Sequence, residues 1–386
     1  MIYLDYNATA PLREVAHAAM LNWLQQPSGN PSSIHRLGRN ARQALDLARR
    51  QVAQLFAVHD SQVIFTSGGT EANHLALFTA MLQSQMQGHI VTTAVEHASL
   101  LAAAEGLQRR HELSVTRVLP ERDGRITVEA VASALRPDTR LVSVMAANNE
   151  TGVLHPIAAI ARLCHERGIL CHSDAVQLAG RLPVTLAQLG CDLLSVSAHK
   201  MGGCPGVGAL LVGKGVAVEP LLAGGGQERG RRSGTENLPG IVAFGAVAHH
   251  LNEATITAES QRICLLQTQL EEAIRTNLPD CVVVGTETER LANTTLVVCD
   301  GLDGEALVMN LDLAGFAVSG GAACSSGKAG LSHVLSAMGM GESLARSAVR
   351  ISLGWQTEPS HITALVAAFT KVVERLRPHH HRPMDK

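Results

Sequence analysis

The sequence predicts an α/β chain: a large domain on a mostly parallel sheet, then a smaller α+β C-terminal domain. Three observations carry that expectation. Short apolar runs alternate with helical stretches over the first two-thirds of the chain, which implies crossover units and a sheet covered on both faces. With 386 residues and 46% hydrophobic content, the chain can bury a large core without disulfides or a metal. Near residue 255 the alternation gives way to one long amphipathic stretch and a different order of elements.

The elements follow in order. Residues 62–66 read as a strand, and Ser67-Gly68-Gly69-Thr70 opens a helix carrying Leu75, Leu77, Phe78 and Met81. Residues 89–93 and 140–145 are further strands. Pro156 starts a helix with Ile157, Ile160, Ala161 and Cys164 at helical spacing. Strands follow at 168–172 and 192–197. Beyond a long helix at 258–275 come strands at 281–284 and 294–298, and helices at 304–313, 330–338 and 359–377. The expected domains are 1–255, with its extreme N-terminus packed on the small domain, and 256–376. Residues 377–386 are expected to be a disordered tail whose histidines bind metal at most incidentally.

Thirty-two Lys+Arg against 34 Asp+Glu give a net charge of −2. That balance offers no general attraction to nucleic acid or to an anionic membrane. At 3%, aromatic residues are too few for a base-stacking platform. The start lacks a signal-peptide pattern, and no apolar run is long enough to span a membrane, so a cytoplasmic protein is expected. None of the eight cysteines forms Cys-x-x-Cys, no metal site is expected, and the thiols are expected to be reduced.

Sheets of this kind present ligand-binding residues at the carboxyl ends of their strands. Lys200 follows such an end and precedes a glycine-rich turn; a desolvated lysine there can act as a Schiff-base amine. Asp174 lies just past the strand ending at 172, with Gln177 three residues on; a carboxylate there can cap a helix, ligate a metal or face a protonated pyridine nitrogen. The strand–turn–helix through Gly68-Gly69-Thr70 offers backbone N–H groups and a helix dipole to an anion. It matches neither nucleotide-loop spacing, so a phosphate on a smaller cofactor fits better. The glycine runs at 202–208 and 224–226 imitate nucleotide loops without the strand and helix those require. Cys324 lies among glycines and serines beside Lys328, the accessible, electropositive setting of a reactive thiol. Each residue alone has an ordinary structural reading. Together, lysine, carboxylate, phosphate cradle and loop cysteine point to pyridoxal 5′-phosphate (PLP).

Several segments carry a resemblance. Tyr3 to Pro11, Gly29-Asn30-Pro31-Ser32-Ser33, Thr66 to Glu71, Glu96-His97, Asn148-Asn149-Glu150-Thr151-Gly152, Asp174 to Gln177, Ala198-His199-Lys200, Arg232-Ser233-Gly234-Thr235, Ala323-Cys324-Ser325-Ser326 and Arg350 to Gly354 resemble the cysteine desulfurases of the NifS/IscS type, in order over nearly the whole chain. The resemblance implies fold type I, a PLP-dependent homodimer, and conversion of L-cysteine to L-alanine with sulfur passed to an acceptor such as an iron–sulfur scaffold or a tRNA-thiolation protein. It implies that Lys200 holds PLP and shuttles the proton, Asp174 pairs with the pyridinium, His97 stacks on the ring and Gln177 meets its phenolate oxygen. Gly69, Thr70, Ser197 and His199 would hold the phosphate, with Thr235 arriving from the partner subunit. Asn149 would contact both cofactor and substrate, Arg350 would face the substrate, and Cys324 would become the persulfide. Selenocysteine lyases, transaminases and a non-catalytic scaffold are the competing readings. The sequence departs from the resemblance at Cys204-Pro205, where a Pro-Lys pair is usual, at Ala322 and at Ala98.

Overall fold

The computed structural model describes residues 1–27, 29–321 and 331–377. Cys324, Ala322 and positions 378–386 of the expected tail lie outside the described residues.

The main sheet has seven strands: β2 (Val63–Thr66), β3 (Gly88–Thr93), β4 (Leu113–Val118), β5 (Thr139–Ser143), β6 (Leu170–Asp174), β7 (Leu193–Ser197) and β8 (Gly208–Val212). Their order is β2-β8-β7-β6-β5-β3-β4. All neighbours are parallel except β8, which runs antiparallel to both β2 and β7. Helices pack against it with a continuous apolar core, in which Val91, Val142, Cys171, Leu194 and Val196 of the strands meet Leu45, Val52 and Phe244 of helices Arg36–Leu55 and Leu238–His250. The predicted mostly parallel α/β sheet is therefore present.

Two of its strands were not expected. β4 alternates Leu-Ser-Val-Thr-Arg-Val at the sheet edge, a weak pattern beside fully apolar neighbours. β8 begins inside the glycine run read as a nucleotide-loop imitation. Gly208 registers with Thr66 on one side and Ser197 on the other, and a Cβ there would come within 2.8 Å of Gly68 Cα. Glycine at 208 lets the Gly68 turn close onto the sheet.

A second, antiparallel sheet orders β12 (Ser319–Gly320), β13 (Ala348–Ser352), β10 (Thr294–Cys299) and β9 (Cys281–Val283). Helices Glu253–Asn277 and Pro359–Leu376 cover it, burying Leu266, Leu270, Ile274, Leu365 and Phe369 against Val297 and Ile351. At the N-terminus β1 (Ile2–Tyr3) pairs in parallel with β11 (Phe316–Ala317), and Leu4 lies in this second core. Cys281 and Cys299 are direct partners across β9 and β10 and form a disulfide with Cα atoms 4.4 Å apart. The expectation that all thiols are reduced is corrected for this pair. Sequence spacing of 18 gave no sign of it, because antiparallel pairing alone brings the two together.

Candidate active site

Three strands of the main sheet, the neighbours β6 and β7 and, beyond β8, the edge strand β2, deliver the polar residues. Asp174 is the last residue of β6 and Ser197 the last of β7; Lys200 follows after one tight turn. β2 feeds the helix Gly69–Gln83, so its N-terminus faces the same strand ends. A Cβ on Gly69 would approach Val176 Cγ2 to 2.7 Å, and one on Gly68 would lie 4.0 Å from Ser197 Oγ. The glycines thus bring a helix N-terminus, with its unpaired N–H groups, against Asp174 and Ser197.

Asp174 is buried and accepts from Val176 N at 2.9 Å and from Asn73 Nδ2 at 2.7 Å. Asn73 also donates to Ser99 Oγ at 3.2 Å, and that hydroxyl lies 2.8 Å from His97 Nδ1. His97 caps the helix Ala98–Arg110, its Nδ1 accepting from Ser99 N. An acceptor Nδ1 leaves the proton of the neutral ring on Nε2. One chain of hydrogen bonds therefore ties the carboxylate to the imidazole. Asn73 and Ser99 were not singled out in the sequence; the signal for Asn73 was its place one turn after Thr70 on the cradle helix.

Lys200 Nζ donates to Asn7 O at 2.5 Å and Ala8 O at 2.7 Å. Asn7, also missed, is a hub. Its side chain meets Asn149 O, Thr294 Oγ1 and Asn293 Nδ2, while its carbonyl also accepts from Gln177 Nε2 at 3.1 Å. Arg350, from the middle of β13, is fully buried. It donates to Asn149 O at 3.0 Å and pairs with Asp5 at 2.8 Å. Arg350 Nε and Asn149 Oδ1 are buried with no partner among the described residues. His199 contacts Thr9 Oγ1 at 3.1 Å; burial, then the charges of Lys200 and Arg181, push its pKa down to about 4, so it is neutral at pH 7.

Thr235 is exposed, on the segment before the helix Leu238–His250. Arg232 anchors that segment to Glu71 of the cradle helix at 2.7 Å. Cys204 is buried, 3.3 Å from Met20 Sδ, and burial raises its pKa, which disfavours the thiolate that a sulfur-transfer nucleophile needs.

Beside His97 sits Glu96, with no exposed surface. One oxygen accepts from Thr93 Oγ1 and Met145 N; the other has no partner among the described residues. Burial, with a smaller push from Asp174, raises its pKa from 4.5 to about 8, so it is held protonated at neutral pH. The folded state keeps this proton more tightly than the unfolded state. Stability is therefore undiminished below about pH 4.5 and falls as pH rises toward 8, at up to about 1.4 kcal/mol per pH unit. Glu96→Gln, which is isosteric and cannot ionise, should flatten that decline. Denaturant midpoints at pH 6 and pH 9 check it: the difference between them should be markedly smaller in the variant.

The family model described as "Aminotransferase class-V" matches residues 2–365. The chain belongs to the class V aminotransferase family. The cofactor of this family is PLP. The residues of this class V chain fit it: a glycine cradle that side chains would fill, a lysine and a carboxylate at adjacent strand ends, and two unpartnered buried polar atoms nearby. Among curated proteins the chain is 44% identical to "Cysteine desulfurase" of Cereibacter sphaeroides, over 97% of this chain and 96% of that one. Among solved structures it matches a "NIFS-LIKE PROTEIN" at TM-score 0.89 and 31% identity, covering 97% of this chain and 100% of the other. It also matches "SspA in complex with cysteine" at TM-score 0.80 and 30% identity, covering 92% and 99%. These likenesses agree with the fold type I architecture expected from the sequence.

Proposed function

We propose that this chain is a cysteine desulfurase, converting L-cysteine to L-alanine and holding the released sulfur as a persulfide on Cys324. The observation that carries the reading is the convergence of Lys200, Asp174 and the Gly68–Thr70 cradle at one set of strand ends, with Arg350 joined to them through Asn149 and Asn7. Its relatives of that activity supply the reaction.

Bound PLP supplies an electron sink next to the substrate Cα. The protein does the rest. Asp174 would hold the pyridine nitrogen protonated, and the Asn73–Ser99–His97 chain would orient the imidazole that faces the ring. Gly69, Thr70, Ser197 and neutral His199 bind the phosphate by hydrogen bonds. Lys200 carries PLP and moves the Cα proton. Arg350 grips the substrate carboxylate through its fork, and Asn149 turns its unpartnered amide oxygen to the substrate side. Cys324, as thiolate, takes the sulfur and delivers it to an acceptor. Such acceptors include an iron–sulfur scaffold or a tRNA-thiolation protein of the cytoplasm. We place the large PLP-binding domain at 1–255 and the small domain at 256–376. The working unit is a homodimer, with Thr235 of each protomer completing the other's phosphate site.

The test is a cysteine pulse followed by persulfide mapping and alanine release. The persulfide should appear on Cys324 and be absent from Cys204. Cys324→Ser should keep PLP and its cysteine-induced spectral change while alanine release falls by orders of magnitude. Full turnover in Cys324→Ser defeats the proposal, and a strong preference for selenocysteine would favour a selenocysteine lyase.

A further inference from the structure

Gln177 lies between two groups that together fix which way its amide faces. On one side is Arg181, four residues on, whose guanidinium donates to Gln177 Oε1 and, at 2.9 Å, to Gln177 O. On the other side Gln177 Nε2 donates to Asn7 O at 3.1 Å. Arginine has only donors, and a backbone carbonyl only accepts, so the reversed amide would lose both contacts. Nε2 has two hydrogens and spends one on Asn7 O, leaving the second to donate elsewhere. That same carbonyl oxygen accepts from Lys200 Nζ at 2.5 Å, so the Gln177 amide nitrogen and the lysine share one acceptor.

Arg181 does more than touch Gln177. Its other terminal nitrogen donates to Tyr6 O at 3.1 Å, fixing the chain segment whose next two carbonyls hold Lys200. No carboxylate pairs with Arg181 among the described residues. A half-buried guanidinium usually has such a partner. This one is committed instead to a side-chain amide and two backbone carbonyls around the lysine.

We propose that Arg181 is a positioning residue that locks the Gln177 amide with its nitrogen toward the PLP ring oxygen, so that Gln177 acts only as a donor there. Released from Arg181, the amide keeps only its contact to Asn7 O to set its direction, so its nitrogen is held toward the ring oxygen less firmly. The inference rests on the proposed role of Gln177 and goes beyond it. The charged or titratable groups around this corner are Arg181, Arg350, Lys200, Asp174, Asp5, His199, Tyr6 and the paired Arg13 and Glu259.

The experiment is a double-mutant cycle on the PLP-loaded enzyme, read as the pH midpoint of the visible absorption band. Gln177→Met removes the donor and should raise the midpoint by about one pH unit, the worth of one hydrogen bond to a charged oxygen. Arg181→Met should raise it in the same direction by a smaller amount. The double variant should match Gln177→Met alone, because Arg181 acts through Gln177. Arg181→Lys, which keeps the charge but not the fork, should shift it too, and it stands in if Arg181→Met does not fold. Additive shifts, or an unchanged midpoint in Arg181→Lys, overturn the role of Arg181 while sparing that of Gln177. An unchanged midpoint in Gln177→Met overturns both.

Discussion

Lys200→Ala should lower cysteine turnover by at least about three orders of magnitude, the upper range for losing a positioned proton-transfer group. The fold should survive, because the ammonium leaves two backbone carbonyls of the N-terminal segment, Asn7 O and Ala8 O, and the first still accepts from Gln177. Alanine release measures the loss, and thermal denaturation should differ little from the parent chain. Borohydride treatment separates this from general damage. In the parent, reduction should fix PLP to the peptide containing Lys200; in Lys200→Ala no peptide should carry it. An adduct on another lysine would remove Lys200 from its assigned place.

Arg350 should show the second large effect, divided differently between binding and stability. It is fully buried, with one oxygen of Asp5 and the carbonyl of Asn149 as partners and Nε in reserve. Arg350→Lys keeps a cation but loses the planar fork that matches a carboxylate. Its kcat/KM for L-cysteine should fall about 100-fold, equivalent to roughly 3 kcal/mol, or one to two hydrogen bonds to a charged group. Most of the change should appear in KM, since the contact is to a carboxylate remote from the bond that breaks. Arg350→Ala should fall further and also unfold more easily, because it leaves Asp5 without its cation and opens space in the second sheet. A fall confined to kcat would argue against a carboxylate clamp.

The class of this fold was legible because buried parallel strands are short apolar runs, and β2, β3, β5, β6 and β7 all read that way. β4 and β8 did not. One is an amphipathic edge; the other starts at a glycine selected by close approach of a neighbouring turn. The Cys281–Cys299 pairing was hidden for a related reason: it depends on strand register, which local pattern does not state.

Within the candidate site, the sequence could place Lys200, Asp174 and the Gly68–Thr70 turn at strand ends, and the structure puts them there. Each sits next to a strand end, and strand ends are local signals. Residue type alone did not suffice, since each has an ordinary structural reading; it was their combination at neighbouring strand ends that pointed to one site. The supporting residues carry no such mark. Asn7, Asn73, Ser99 and Arg181 are ordinary polar side chains in the sequence. Their importance arises from hydrogen bonds to residues far away in the chain, as when Asn7 reaches Thr294 and Asn73 reaches Asp174. Glu96 is likewise unremarkable until every neighbour excludes water and raises its pKa. The sequence determined which chemical groups the protein possesses and the sheet that presents them. Only the tertiary structure decided how they are oriented and charged, because hydrogen-bond direction and desolvation depend on neighbours that chain order does not specify.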